Sequence, residues 1–148
     1  MYHLAVPDDL LDADYRRLLE LRDGLRRFLR WSERRAEAAG LTPAQHQLLL
    51  VVRAHDDPLG PTIRDVADHL LLRHHSAVEL VDRAEAAGLV RRRPDPVDQR
   101  TVRLSLTAGG ARRLAELSAL HVEELRRMST RLGSLWADLT PSSAPARG

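Results

Sequence analysis

Apolar residues recur along this chain at two different spacings, and the change of spacing divides it into parts. Between residues 8 and 38, Leu11, Tyr15, Leu18, Leu21, Leu25 and Phe28 follow at steps of three and four, which lays them along one stripe of an α-helix. The opposite face carries Arg16, Arg22, Arg26, Arg27 and Arg30 with acids between them. About thirty helical residues would reach roughly 45 Å, more than a small domain covers unaided, and Gly40 stops the pattern.

Thr42-Pro43-Ala44-Gln45 then predicts a helix start: threonine caps, proline fits the first turn, and glutamine three residues on completes a capping box. Its apolar body is residues 48–52, and residues 55–61 are a loop by composition. Thr62 caps a third helix over residues 62–71, with Ile63, Val66, Ala67, Leu70 and Leu71 as its buried face. A fourth, over residues 74–87, starts near Arg73 or His74, buries Val78, Val81 and Ala84, and ends at Gly88. So short a gap between the two is what a helix-turn-helix needs.

Beyond Gly88 the period falls to two. Val102, Leu104 and Leu106 alternate with Arg103 and Ser105, a half-buried strand, and Pro94-Asp95-Pro96 forbids helix across the bend. Residues 89–106 therefore read as a hairpin, and residues 62–107 as a winged helix-turn-helix. Thr107 caps a last helix over residues 108–139, striped by Leu114, Leu117, His121, Leu125, Met128, Leu132, Leu135 and Leu139. Residues 140–148 read as a flexible tail, and there is no internal repeat. The expected fold is mostly α with a small β-wing: a single domain over residues 1–148, its winged helix-turn-helix (residues 42–107) flanked by two long helices. Two long striped helices in so small a chain predict pairing with a second copy, a two-fold homodimer carrying two reading heads.

Composition narrows the function classes. Of the 148 residues, 43% are hydrophobic and 30% charged, which is ordinary for a soluble globular protein. The longest strongly apolar run, residues 48–52, is far too short to span a bilayer, so no membrane partner is expected. The first residues carry neither a basic region nor a long apolar stretch, so no secretory signal is expected and the cytoplasm is the expected location. With no cysteine there is no disulfide, thiolate metal site or thiol redox sensor. No Gly-rich phosphate loop, HExxH or nucleophile elbow occurs, so neither an enzyme nor a cofactor is expected. Asp65 and His69 share one helix face at a spacing that could seat a divalent ion, but a lone pair is a weak signal and no metal site is expected.

The net charge of +2 says little, whereas its distribution says more: between Gly88 and Arg103 there are five arginines against Asp95 and Asp98. All 23 basic residues are arginine. A GC-rich genome accounts for that, although the planar fork of arginine does suit phosphates and guanine edges.

Residues 80–92, from Leu80-Val81-Asp82-Arg83 to Gly88-Leu89-Val90-Arg91-Arg92, resemble the end of the recognition helix and the entry to the wing in the MarR family of bacterial regulators. Asp98-Gln99-Arg100-Thr101-Val102-Arg103-Leu104-Ser105-Leu106-Thr107 is similar to that family's wing signature. The flanking helices fit its dimerisation region, so the resemblance extends over nearly the whole chain. It departs at Leu71, where the family often has a small residue in the turn, and at Arg73-His74-His75, where a serine often opens the recognition helix. The C-terminal helical region is also shorter than the family's usual pair of helices.

The start of the fourth helix would face base edges in double-stranded DNA with Arg73, His74, His75, Ser76 and Glu79. Arginine reads guanine N7 and O6, and glutamate accepts from cytosine N4. Ser76 and Thr62, near helix N-termini, bond phosphates beside backbone N–H groups. In the wing, Arg100 would enter the minor groove, Asp98 would hold that guanidinium or tie the turn, and Arg92 and Arg93 would grip phosphates. The resemblance further implies a small anionic or aromatic effector bound where the dimerisation helices meet the reading head, with Arg22, Trp31, His46 and Leu49 as its candidate lining. Together these features predict a sequence-specific transcriptional regulator, a repressor acting on a pseudo-palindromic operator. The competing expectation is a winged-helix protein-docking module whose arginines are an ordinary solvated face.

Overall fold

The computed structural model describes residues 10–137. Its elements are α1 (Asp12–Ala38), α2 (Pro43–Ala54), α3 (Ile63–Leu70), α4 (His74–Ala86), β1 (Val90–Pro94), β2 (Val102–Leu106) and α5 (Ala108–Ala137). Residues 8 and 9 of the expected opening helix, the last residues of the closing one and the expected tail over 140–148 lie outside the described residues, and Leu10 and Leu11 precede the opening helix instead of belonging to it. Each boundary that can be compared falls within a few residues of its expectation, and the C-terminal helical region is one element.

The chain divides into two compact units, one made of its two ends (up to Trp31 and from Val122) and one made of Ser32–His121. Among the described residues the second holds the hydrophobic core, which includes Ala36 from α1, Leu48, Leu49 and Val52 from α2, Val66 from α3, Val81 and Ala84 from α4, Val90 and Leu104 from the strands, and Leu114 and Leu117 from α5. Leu48 and Leu49 are fully buried, each stabilising by about 1.5–3 kcal/mol relative to exposure. The first unit contains no buried residue among those whose side chains are described. Along α1, Tyr15, Leu18, Leu19, Leu25 and Leu29 are each about half exposed or more, as is Leu11 just before it.

Local chemistry sets where the elements of the second unit begin. Thr42 Oγ1 accepts from the Gln45 N–H at 3.1 Å and the Thr42 N–H donates to Gln45 Oε1 at 3.1 Å, the reciprocal cap that opens α2. Thr62 and Asp65 make the same box at the start of α3. Thr107 Oγ1 accepts from the Gly110 N–H at 2.9 Å and starts α5. The turn between α3 and α4 is less ordinary. Leu71 closes α3 in the left-handed conformation, φ 53° and ψ 42°, with its side chain 92% exposed. It is a turn residue and not part of the buried face of α3, because ending the helix at Leu70 swings it outward.

The strands pair antiparallel with Val90 opposite Leu106, Arg92 opposite Leu104, and Arg93 opposite Arg103. Val90 and Leu104 point into the core while Arg91 and Arg93 face solvent. A single bridge joins Thr62 to Arg103, and the Leu104 N–H donates to the Pro61 carbonyl at 3.0 Å, so the wing is stitched to the start of α3.

Candidate nucleic-acid interface

The start of α4 presents donors. Arg73 is its N-cap and makes no side-chain cap, and no acid occupies the first turn. The first N–H groups of the helix therefore carry the positive end of its dipole with no carboxylate or hydroxyl of the chain bound to them through the cap. Arg73, His74, His75 and Glu79 are exposed and Ser76 is half-buried. Thr62, in contrast, uses its hydroxyl oxygen to accept from the Asp65 N–H, so capping is its observed role.

The wing turn is organised by two aspartates. Asp98 ties the turn: Oδ1 accepts from the Arg100 N–H at 3.1 Å and Oδ2 from the Thr101 hydroxyl at 3.2 Å. Of the two roles expected for Asp98, the carboxylate performs the second, on the backbone and not on the Arg100 guanidinium. Asp95, 6% exposed, accepts from the Val97 and Asp98 N–H groups through Oδ1 and from Arg103 Nε through Oδ2 at 2.8 Å. Those N–H groups and the guanidinium hold its carboxyl at a pKa of about 2, below the ordinary 3.8. Asp95 was not among the expected site residues, although an aspartate between two prolines at a bend is a recognisable turn-forming signal.

The wing arginines divide. Arg93 and Arg100 are exposed, as is Arg91. Arg92, expected to grip phosphate, is held by α4: its N–H and Nη1 both donate to Glu85 at 3.0 Å, and Nη2 pairs with Asp82. These carboxylates outweigh the cost of partial burial and raise its pKa. The reason it pairs inward is the pleat, which puts Arg92 on the same face as Val90, toward α4.

The four expected effector residues fall in both units. Leu49 is fully buried in the core of the second, and His46, 7% exposed, lies against His121 with ring centroids 4.7 Å apart. His121 Nδ1 hydrogen-bonds the Leu117 carbonyl at 2.7 Å and Nε2 bonds Ser32 Oγ at 2.6 Å. Burial, and then the charge of His121, lower the His46 pKa below 6.5. Arg22 and Trp31 belong to the first unit, where Trp31 lines a cavity of about 730 Å³ with Phe28, Arg27, Met128, Arg131 and Leu132. Among the described residues no group of three or more His, Cys, Asp or Glu gathers to hold a metal, and no helix is long and apolar enough to cross a membrane.

Residues 39–101 match the model of the MarR family. Among solved structures the chain is similar to AbsC, a MarR family transcriptional regulator from Streptomyces coelicolor (22% identical, TM-score 0.68, 89% of this chain and 84% of that one). It is also similar to a mutant of MepR from S. aureus bound to an oligodeoxyribonucleotide (20% identical, TM-score 0.65, 85% of this chain and 98% of that one). Wild-type MarR from E. coli is another such structure (23% identical, TM-score 0.63, 82% of each chain). No curated protein sequence matches. The uncapped α4, β1 with its arginines and the turn tied by Asp95 and Asp98 thus lie within the segment that matches the MarR family model, and the chain has the winged helix-turn-helix fold of MarR family structures.

Proposed function

We propose that the chain is a DNA-binding transcriptional regulator, a repressor that holds a short pseudo-palindromic operator as a cytoplasmic homodimer and releases it when a small aromatic or anionic effector binds. The observation that carries this reading is the set of groups one compact unit exposes: Arg73, His74, His75 and Glu79 around the uncapped start of α4, with Arg93 and Arg100 on the wing. A short helix with base-reading side chains beside a basic ribbon suits a major groove and its flanking phosphates. The MepR neighbour, solved with an oligodeoxyribonucleotide, supports the same use of the fold. The unburied apolar face of α1 supports pairing with a second copy. An effector releases DNA only by binding more tightly to the state that cannot hold DNA.

Selection of bound sequences from a random duplex pool tests the proposal. Enrichment of an inverted repeat with half-sites about 10 bp apart, or a multiple of that, is the expected result. Binding through about six to ten phosphate contacts should then weaken roughly 10³–10⁵-fold between 50 and 200 mM salt. No enrichment and no salt dependence would overturn the proposal and leave a protein-docking module.

A further inference from the structure

The wing carries one arginine that no reading of DNA contact requires. The Arg103 side chain is 19% exposed. Its Nε donates to Asp95 Oδ2 at 2.8 Å, and its Nη1 donates both to Asp57 Oδ2 at 3.2 Å and to the Gly60 carbonyl at 3.0 Å. It stands directly opposite Arg93 in the ladder, where like charges repel, so its place depends on these acceptors.

They belong to a closed polar circuit. The Asp57 N–H donates to His55 Nδ1 at 3.2 Å, and His55 Nε2 lies 3.4 Å from Asp65 Oδ2. Asp65 closes the cap on Thr62, and Thr62 bridges back to Arg103 through the backbone. The circuit thereby joins the wing to the end of α2 and the start of α3.

A two-stranded hairpin is marginally stable alone, so its direction comes from its attachments. Beyond the buried strand faces, two ionic ties hold this one. Arg92 fixes β1 to Asp82 and Glu85 of α4, and Arg103 fixes β2 to Asp57 of the loop between α2 and α3. We infer that Arg103 is a positioning residue: through Asp95 and Asp57 it sets the angle of the wing against α4 and so aims Arg100. This inference rests on the DNA-binding reading. It also divides the wing arginines by role, with Arg92 and Arg103 as ties and Arg91, Arg93 and Arg100 as the cations offered outward.

The test uses the full chain and a duplex recovered from the selection. Affinity is measured for the parent, Arg100→Ala, Arg103→Gln and the double variant, and amide hydrogen exchange is followed in the wing and in α4. Arg100→Ala should weaken binding roughly tenfold. Arg103→Gln should weaken it comparably, and the double variant should be no more than about twofold worse than either single one, because an unaimed Arg100 has little left to lose. Exchange should quicken at the Asp95, Thr101 and Leu104 amides and stay unchanged in α4. Arg103→Lys should recover part of the affinity, since an ammonium reaches one acid but cannot fork between two.

If Arg103→Gln fails to fold, Asp57→Asn replaces it; that variant keeps the oxygen that accepts from the Leu59 N–H and removes one charge of the tie. Unchanged wing exchange, or effects that multiply in the double variant, would overturn the inference with the DNA reading intact. A parent that binds no duplex, or an Arg100→Ala variant that binds like the parent, would overturn the reading itself and the inference with it.

Discussion

Leu71 pays twice for its position, as an apolar side chain in water and as a non-glycine residue at φ 53°. The left-handed conformation costs a leucine about 1–2 kcal/mol. Glycine relieves that but gives the unfolded chain more freedom, worth about 0.4–1 kcal/mol against it. The relief is larger, and almost no packing is lost at 92% exposure, so Leu71→Gly should raise the free energy of unfolding by about 0.5–1 kcal/mol. A lower denaturant midpoint would show that the leucine makes a contact that outweighs its strain. His46 poses the opposite problem, a titratable ring inside the core. Its folded pKa lies below 6.5 because burial disfavours the cation, so on acidification the unfolded chain binds the proton first. Stability should therefore be complete above about pH 7 and fall as pH drops through 6.5, by a few degrees of Tm, with His46→Gln flattening the profile. Asp95 runs the other way in charge but the same way in pH. Its depressed pKa keeps the wing tie intact until pH falls from 3.8 toward about 2, so mild acid should loosen the core before the wing.

At the scale of elements, Gly60 decides how closely the wing approaches the rest of its unit. It sits at φ +85°, and a Cβ there would lie 2.1 Å from the Leu104 carbonyl oxygen, on backbone that cannot step aside. Gly60→Ala should cost at least about 2 kcal/mol from backbone strain and overlap together, and thermal melting should show it; a variant as stable as the parent would mean that β2 slides freely on the loop. The helices themselves were legible beforehand because their signals are local. The caps at Thr42, Thr62 and Thr107, the stop at Gly40 and the alternation from Val102 to Leu106 each involve residues a few positions apart. The partners of the wing arginines were not legible. Arg103 reaches Asp57 across 46 positions and Arg92 reaches back to Asp82 and Glu85, and a charge count sees only an excess of cations. Strand alternation does warn that some arginines of a hairpin must turn inward, but which acids meet them depends on how the strands cross the helices. Leu71 was misassigned to a buried face for a related reason: helical periodicity holds only until the helix ends, and a leucine is a rare terminator.

At the scale of the whole molecule, one unit owns every buried side chain among the described residues and the other owns an apolar stripe without a core. Exposed positions on α1 should thus be nearly silent in a single chain, within about 0.5 kcal/mol, and decisive in an assembly. Leu25→Glu should leave the melting of the Ser32–His121 unit unchanged while shifting sedimentation from the proposed dimer toward monomer. A variant that sediments like the parent would move the pairing surface elsewhere.

The makeup of the coreless unit carries a consequence for synthesis. Its pieces are the opening stretch of α1 and the closing stretch of α5, so they are the first and last described parts to leave the ribosome, while everything between them folds around its own core. On a growing polypeptide the Ser32–His121 unit is complete before α5 has finished emerging. The leading half of α1 stays exposed as a greasy ribbon throughout that interval, so chaperones and proteases meet that stretch before it is covered.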